Sequence, residues 1–285
     1  MNRPISVAEP SPSGNTPQRS AFTLIELLVV VAVIGILSSL LLPSLARTKT
    51  EAQSAFCLND TRQLILGCLM YCDDSSGFFP YNLAGAAVHT NINWASDLLD
   101  WETNSDNTNT ALLTQAALGP YVAQSALIYH CPSDTALSTI QRSAGWLNRA
   151  RSYSMNASIG DAGEITQGGV NTNNPDYVQF FKLSSVPQAG QIFVFIEEHP
   201  DTIYDGYFLN RAYSREWIRL PASSHNGSAA ISFADGHAEL HHWQDASTKI
   251  PPEPDAATPL VFTNLPAGQR DDFNWVIGHM TVKGN

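Results

Sequence analysis

The chain has 285 residues, a formal charge of −11 and a charged fraction of only 14%. An acidic balance of this size argues against general nucleic-acid binding, because phosphate recognition needs a basic surface. The length allows one sizeable core or two modest ones, and the abundant Asn, Thr, Ser, Gly and Pro suit a loop-rich exported head rather than a cytoplasmic helical protein.

Residues 1–20 are rich in Pro, Ser, Asn and Gln, with Arg3 and Arg19 as the basic residues, and read as a disordered leader outside the fold. Residues 27–46 then run without a charge, long enough for a helix to cross a bilayer core of about 30 Å. An ordinary signal peptide places its small-residue cleavage site after a short apolar core. Here the polar leader and the small Ala21 come first, so a cut between Ala21 and Phe22 leaves the apolar helix on the mature chain. Glu26 lies inside that apolar stretch, where a carboxylate is costly and asks for a specific reason. Gly35, Ser38 and Ser39 supply small patches for close helix approach, and Pro43 is expected to kink or loosen the end of the span.

After residue 45 the sequence turns polar with no helix breaker. Ala55, Leu58, Ile65, Leu69 and Cys72 recur at helical intervals, which predicts an amphipathic continuation packed on the head and ended near Asp73, Asp74 and Gly77. The four cysteines are Cys57, Cys68, Cys72 and Cys131. Cys57 and Cys68 stand about 16 Å apart on a helix, and Cys68 and Cys72 have poor disulfide geometry as helical neighbours. A helix cysteine bonded to Cys131 is the candidate disulfide in an oxidising compartment, with Cys57 as the pairing named here; the spacing does not choose among the helix cysteines, and free thiols are the alternative.

Further along, residues 94–101 read as a short helix or turn, and residues 110–118 as a short helix ended by Gly119 and Pro120. The segment Tyr129-His130-Cys131-Pro132-Ser133-Asp134 reads as a scaffold turn in which Ser133 or Asp134 caps the next segment, with a metal site as the alternative. A strand is expected at residues 152–156, a Gly/Asn-rich excursion facing partners at 157–176, and a buried strand at 191–197. Residues 229–234 and 236–241 form a hairpin about Asp235 and Gly236. Residues 273–277 read as an edge strand or an insertion.

Two groups could hold a cation. By strand alternation His237, Glu239 and His241 share a face near His225, Asp235 and His242, and imidazole with carboxylate suits zinc. Asp201 and Asp205 before Gly206 could hold calcium, although their spacing lacks the EF-hand pattern. No recognised hydrolase spacing or obvious nucleophile accompanies either group, and no cofactor is otherwise expected.

The string FTLIELLVVVAVIGILSSLLLP at residues 22–43 resembles the processing and methylation site of type IV pilins and of the pseudopilins of type II secretion systems. His225, nine intervening residues and then Asp235 and Gly236, followed by His237, resemble the C-terminal signature of a large bacterial pilin-like family with a domain of unknown function. One departure is Ala21, where the family usually has Gly. The resemblance implies removal of residues 1–21 by a prepilin peptidase at the inner membrane and N-methylation of Phe22. It also implies pairing of the Glu26 carboxylate with the Phe22 amine of a neighbouring subunit, and helix loosening near Pro43 during assembly. Some similar pseudopilins order a head loop with calcium, which is the cation considered for Asp201 and Asp205.

The expected fold is α+β: a long N-terminal helix, membrane-spanning at residues 22–45 and amphipathic to 74, packed on a mainly antiparallel β-sheet head at 75–285. The expected function is a structural pilin or pseudopilin subunit, not an enzyme. Its partners are the prepilin peptidase, other pilin subunits and inner-membrane lipid, with the head in the periplasm or at the cell surface. The alternative is a membrane-anchored metal- or carbohydrate-binding protein using the His237, Glu239 and His241 face. A pocket joining those three side chains would favour it.

Overall fold

A computed structural model describes residues 23–214, 216–255, 265–266 and 268–284. Its longest element is α1 (Leu24–Asp74), and the chain divides after Arg47 into two units. In the first unit α1 begins on a reciprocal cap: Glu26 N donates to Thr23 Oγ1 at 3.3 Å, while Thr23 N and Oγ1 donate to Glu26 Oε2 at 2.8 and 2.7 Å. Threonine and glutamate three positions apart thus satisfy two amides that have no partner inside the helix. From Leu24 to Leu42, 19 residues, the apolar side chains are all exposed. At 1.5 Å per residue this stretch is about as long as a bilayer core is thick.

The second unit is organised around a five-stranded sheet of β1 (Tyr153–Asn156), β2 (Phe193–Glu197), β3 (Tyr207–Phe208), β4 (Ser228–Phe233) and β5 (Ala238–His242), in the order β3-β1-β2-β4-β5. The pairings are antiparallel except for β1 with β3, which is parallel. The chain is α+β, a helix packed on a mixed sheet. The apolar run of β2 has no polar face because both sides of the sheet are covered. Its Val194 and Phe195 join one core with Cys57, Leu64, Ile65, Cys68 and Cys72 of α1, whereas Phe193 and Ile196 join the other. Pairing with β4 shifts register between Phe193 and Phe195, which explains why neighbouring Val194 and Phe195 lie in one core. In β4 the alternation is regular: Ala230 belongs with the α1 core, and Ala229, Ile231 and Phe233 with the opposite one.

The second face is covered by α4 (Asp271–Met280), which replaces the edge strand expected at 273–277. Phe273, Val276 and Met280 are buried at intervals of three and four, a helical period that a five-residue apolar reading misses. Asp272 in the first turn of this helix accepts from Gln244 N and Asp245 N, while Asp272 N donates to Asp245 Oδ2. The stripe on α1 also differs from the expected one. Ala55 is exposed, and the buried line is Cys57, Thr61, Leu64, Ile65, Cys68 and Cys72. Counting cysteines as small apolar residues moves the stripe to where it lies.

Two short helices, α2 (Ala111–Thr114) and α3 (Thr139–Ser143), sit among the connections. Gly119 closes the turn after α2 because a Cβ there would lie 2.0 Å from Thr114 O, and Pro120 opens a new 3₁₀ turn. Residues 94–101 are irregular instead of helical: Trp94 is buried between Tyr129 and Phe195, and Asp97 is held by Arg151. The Asn-rich excursion turns Asn171 and Asn174 inward and leaves residues 167–170 exposed. Asn171 Nδ2 donates to Ala157 O and Tyr207 Oη, and Asn174 Nδ2 donates to Asn210 O.

Candidate functional site

Ala21, Phe22 and the Pro43 side chain lie outside the described residues, so the described part of the N-terminal site begins at Thr23 and Glu26. The Glu26 side chain is exposed and turned back on its own helix start, bonded to Thr23. A capped carboxylate at the first turn also faces the positive end of the peptide dipoles. The same group can therefore order the helix start and offer a negative charge to another chain. Apolar side chains surround it on all sides of the helix, an arrangement that water does not favour and that lipid or neighbouring helices accommodate.

In the head, Cys57 of α1 and Cys131 are joined in a disulfide, and Cys68 and Cys72 are buried free thiols. The hydrogen bond with Cys72, together with burial, pushes the Cys68 thiol well above the usual range. His225 reaches this disulfide from the turn before β4, its Nε2 lying 3.4 Å from Cys131 Sγ and 3.1 Å from Glu197 Oε2. At the other end of β4, Asp235 and Gly236 turn the chain into β5 with Gly236 at φ +92°. Asp235 Oδ1 accepts from His237 N at 3.0 Å, and a Cβ on Gly236 would lie 3.1 Å from Leu69 Cδ1 of α1. The spacing of His225 to Asp235-Gly236 is thus the length of one strand with its two ends set against α1, at Cys57–Cys131 and at Leu69.

His237, Glu239 and His241 are brought to one region, where Glu239 lies 4.0 Å from His241 Nδ1 and His237 is engaged by other groups. His237 stacks on Phe233 with ring centroids 4.3 Å apart, and its Nδ1 lies 2.5 Å from Asp235 Oδ1. His241 stacks on Trp275 at 3.7 Å, and Trp275 on His279 at 4.0 Å. Partial burial pushes the His241 pKa down. A cavity of about 400 Å³ beside them is lined by Phe233, Asp235, His237, Glu239, Trp275 and His279 among others. Its aromatic edges are held by α4, in the segment whose sequence suggests a strand.

Asp201 and Asp205 are also engaged apart from each other. Asp205 Oδ1 accepts from Arg219 Nη2 at 2.8 Å, and its Oδ2 accepts from Gly85 N at 2.8 Å. Asp201 accepts from Glu253 N through both oxygens. Among the described residues, the side chains whose ligand atoms gather within 4.8 Å of one another are Cys57, Cys131, Glu197 and His225. Sequence reasoning misses Glu197 as a site residue. Its signal in the sequence is a carboxylate closing an apolar strand run, Phe193-Val194-Phe195-Ile196-Glu197.

No curated protein and no solved structure matches the chain. Residues 17–42 match the family described as the prokaryotic N-terminal methylation motif, and with the apolar helix beyond Glu26 this supports a type IV pilin-like N-terminal segment.

Proposed function

We propose that the protein is a structural pilin or pseudopilin subunit, made as a precursor and assembled into a type IV pilus or a type II secretion-like filament through its N-terminal helix. Residues 1–21 are the leader, 22–74 the long helix with its span at 22–45, and 75–285 the head. A prepilin peptidase cuts between Ala21 and Phe22, and the inner membrane holds the subunit with its head on the periplasmic side until assembly. The observation that carries this reading is one acidic residue, Glu26, at the start of a 19-residue span whose apolar side chains are all exposed, within a matched methylation motif. Such a surface needs lipid before assembly and other helices after it. Paired with the Phe22 amine of the next subunit, the Glu26 carboxylate sets the stagger, and the role asks for no chemical reaction.

Mass spectrometry of the protein taken from membranes tests the reading. The expected result is a chain that begins at an N-methylated Phe22. A mature chain that retains residues 1–21, or one trimmed past the apolar span, overturns it.

A further inference from the structure

We propose that, when both thiols are reduced, Cys57 and Cys131 join Glu197 and His225 in a binding site for a zinc-class divalent cation. The inference stands apart from filament assembly and rests on the head alone. The four ligand atoms lie within 4.8 Å of one another, and all four side chains are buried. They come from α1, the turn after residues 127–129, the end of β2 and the turn before β4, so only the folded head brings them together.

The spacing suits a small tetrahedral ion. With metal–sulfur bonds of about 2.3 Å and metal–nitrogen or –oxygen bonds of about 2.0–2.1 Å, neighbouring ligand atoms stand roughly 3.3–3.8 Å apart. His225 Nε2 lies 3.4 Å from Cys131 Sγ and 3.1 Å from Glu197 Oε2, close to those edges before any ion draws them in. Two thiolates with one imidazole and one carboxylate also select zinc over calcium or magnesium, which prefer oxygen alone. Backbone donors already face two of the ligands: Ser133 N to Cys131 Sγ at 3.4 Å and Ala230 N to Glu197 Oε2 at 3.3 Å.

A disulfide by itself does not account for this neighbourhood. Cystine packs well among apolar side chains, whereas here a carboxylate and an imidazole are buried against it. Glu197 Oε2 and His225 Nε2 face each other at 3.1 Å beside Cys131 Sγ, so in the dithiol form the carboxylate, the imidazole and the two thiolates converge on one point. Disulfide and metal exclude each other, since the closed bond removes two of the four ligands; a phosphine with water opens it, the phosphine being oxidised to its oxide while the two sulfurs take up two electrons and two protons. Metal entry into the dithiol form releases the two thiol protons and changes no oxidation state.

The test is a Co²⁺ titration of the full chain in detergent, reduced with a phosphine, alongside the oxidised chain. The expected result is one Co²⁺ per reduced chain, with tetrahedral visible bands and a thiolate-to-cobalt charge-transfer band, all displaced by one equivalent of Zn²⁺ and absent from the oxidised chain. The double variant Cys57→Ser/Cys131→Ser, which keeps Cys68 and Cys72, should lose the charge-transfer band. Glu197→Gln should keep that band with affinity lowered at least about tenfold. The proposal fails if the reduced, folded chain shows no charge-transfer band, if the double serine variant shows an equal one, or if Glu197→Gln binds Co²⁺ as tightly as the unaltered chain. A reduced chain that loses its folded circular dichroism and does not recover it with Co²⁺ also overturns it.

Discussion

Glu26 carries two physical roles that a pair of substitutions can separate. Its carboxylate closes the reciprocal cap with Thr23, and its charge is what assembly is proposed to use. Glutamine also serves at the third helical position of such a cap. Glu26→Gln should therefore keep the helix start yet lose incorporation into filaments as fully as Glu26→Ala, read as the fraction of subunit in sheared filaments against membranes. Normal assembly of the Gln variant would show that the cap alone matters. A second single-residue effect concerns Asp60 on α1, whose carboxyl burial pushes up to about 6. The folded pKa exceeds the unfolded one, so the folded state keeps its proton longer as pH rises. The resulting penalty is absent below the unfolded value, grows up to about pH 6 and is then constant. Asp60→Asn should stabilise the head at pH 7 by about 1–2 kcal/mol, after allowance for the solvent that still reaches a half-buried carboxylate, and by little near pH 4. Urea midpoints of both proteins at the two pH values measure this.

Within the head, α1 serves as the backing of a sheet whose other face is covered by α4. The disulfide ties α1 to a turn 74 residues away in sequence. Closing a loop of that length restricts the unfolded chain by an amount usually measured at about 2–5 kcal/mol. Cys57→Ser should lower the unfolding free energy of the oxidised head by about that much, read by denaturant titration with and without reductant. The gap between the two proteins should vanish under reduction. Elements with a strong local period were legible: the long helix, the β2 run and the hairpin turning at Asp235 and Gly236. The α4 helix was not, because its ten residues come after a Pro-rich stretch and expose Trp275 and Ile277 in part alongside the buried Phe273, Val276 and Met280. Short apolar runs are ambiguous in this way until something covers one of their faces.

Taken whole, the chain pairs an apolar segment that water rejects with a head that has its own two cores. Deleting residues 1–47 should leave the remaining chain folded and in the supernatant after ultracentrifugation, whereas the full chain should pellet with membranes. A truncated chain that aggregates, with no cooperative unfolding, would show that the head depends on the apolar helix. The candidate sites divide along similar lines. Length, charge placement and the order of polar leader and apolar run determined the N-terminal segment from sequence alone, because crossing a bilayer and capping a helix depend only on residues close together in the chain. The positions of Cys57, Cys131, Glu197 and His225 are far apart in the chain: the sequence offers the cysteines as a disulfide and His225 as part of a signature, and Glu197 reads as an ordinary strand end. Only the tertiary structure decided that they meet, because the packing of α1 against β2 and β4 sets their separation and buries the Glu197–His225 pair against the two cysteines.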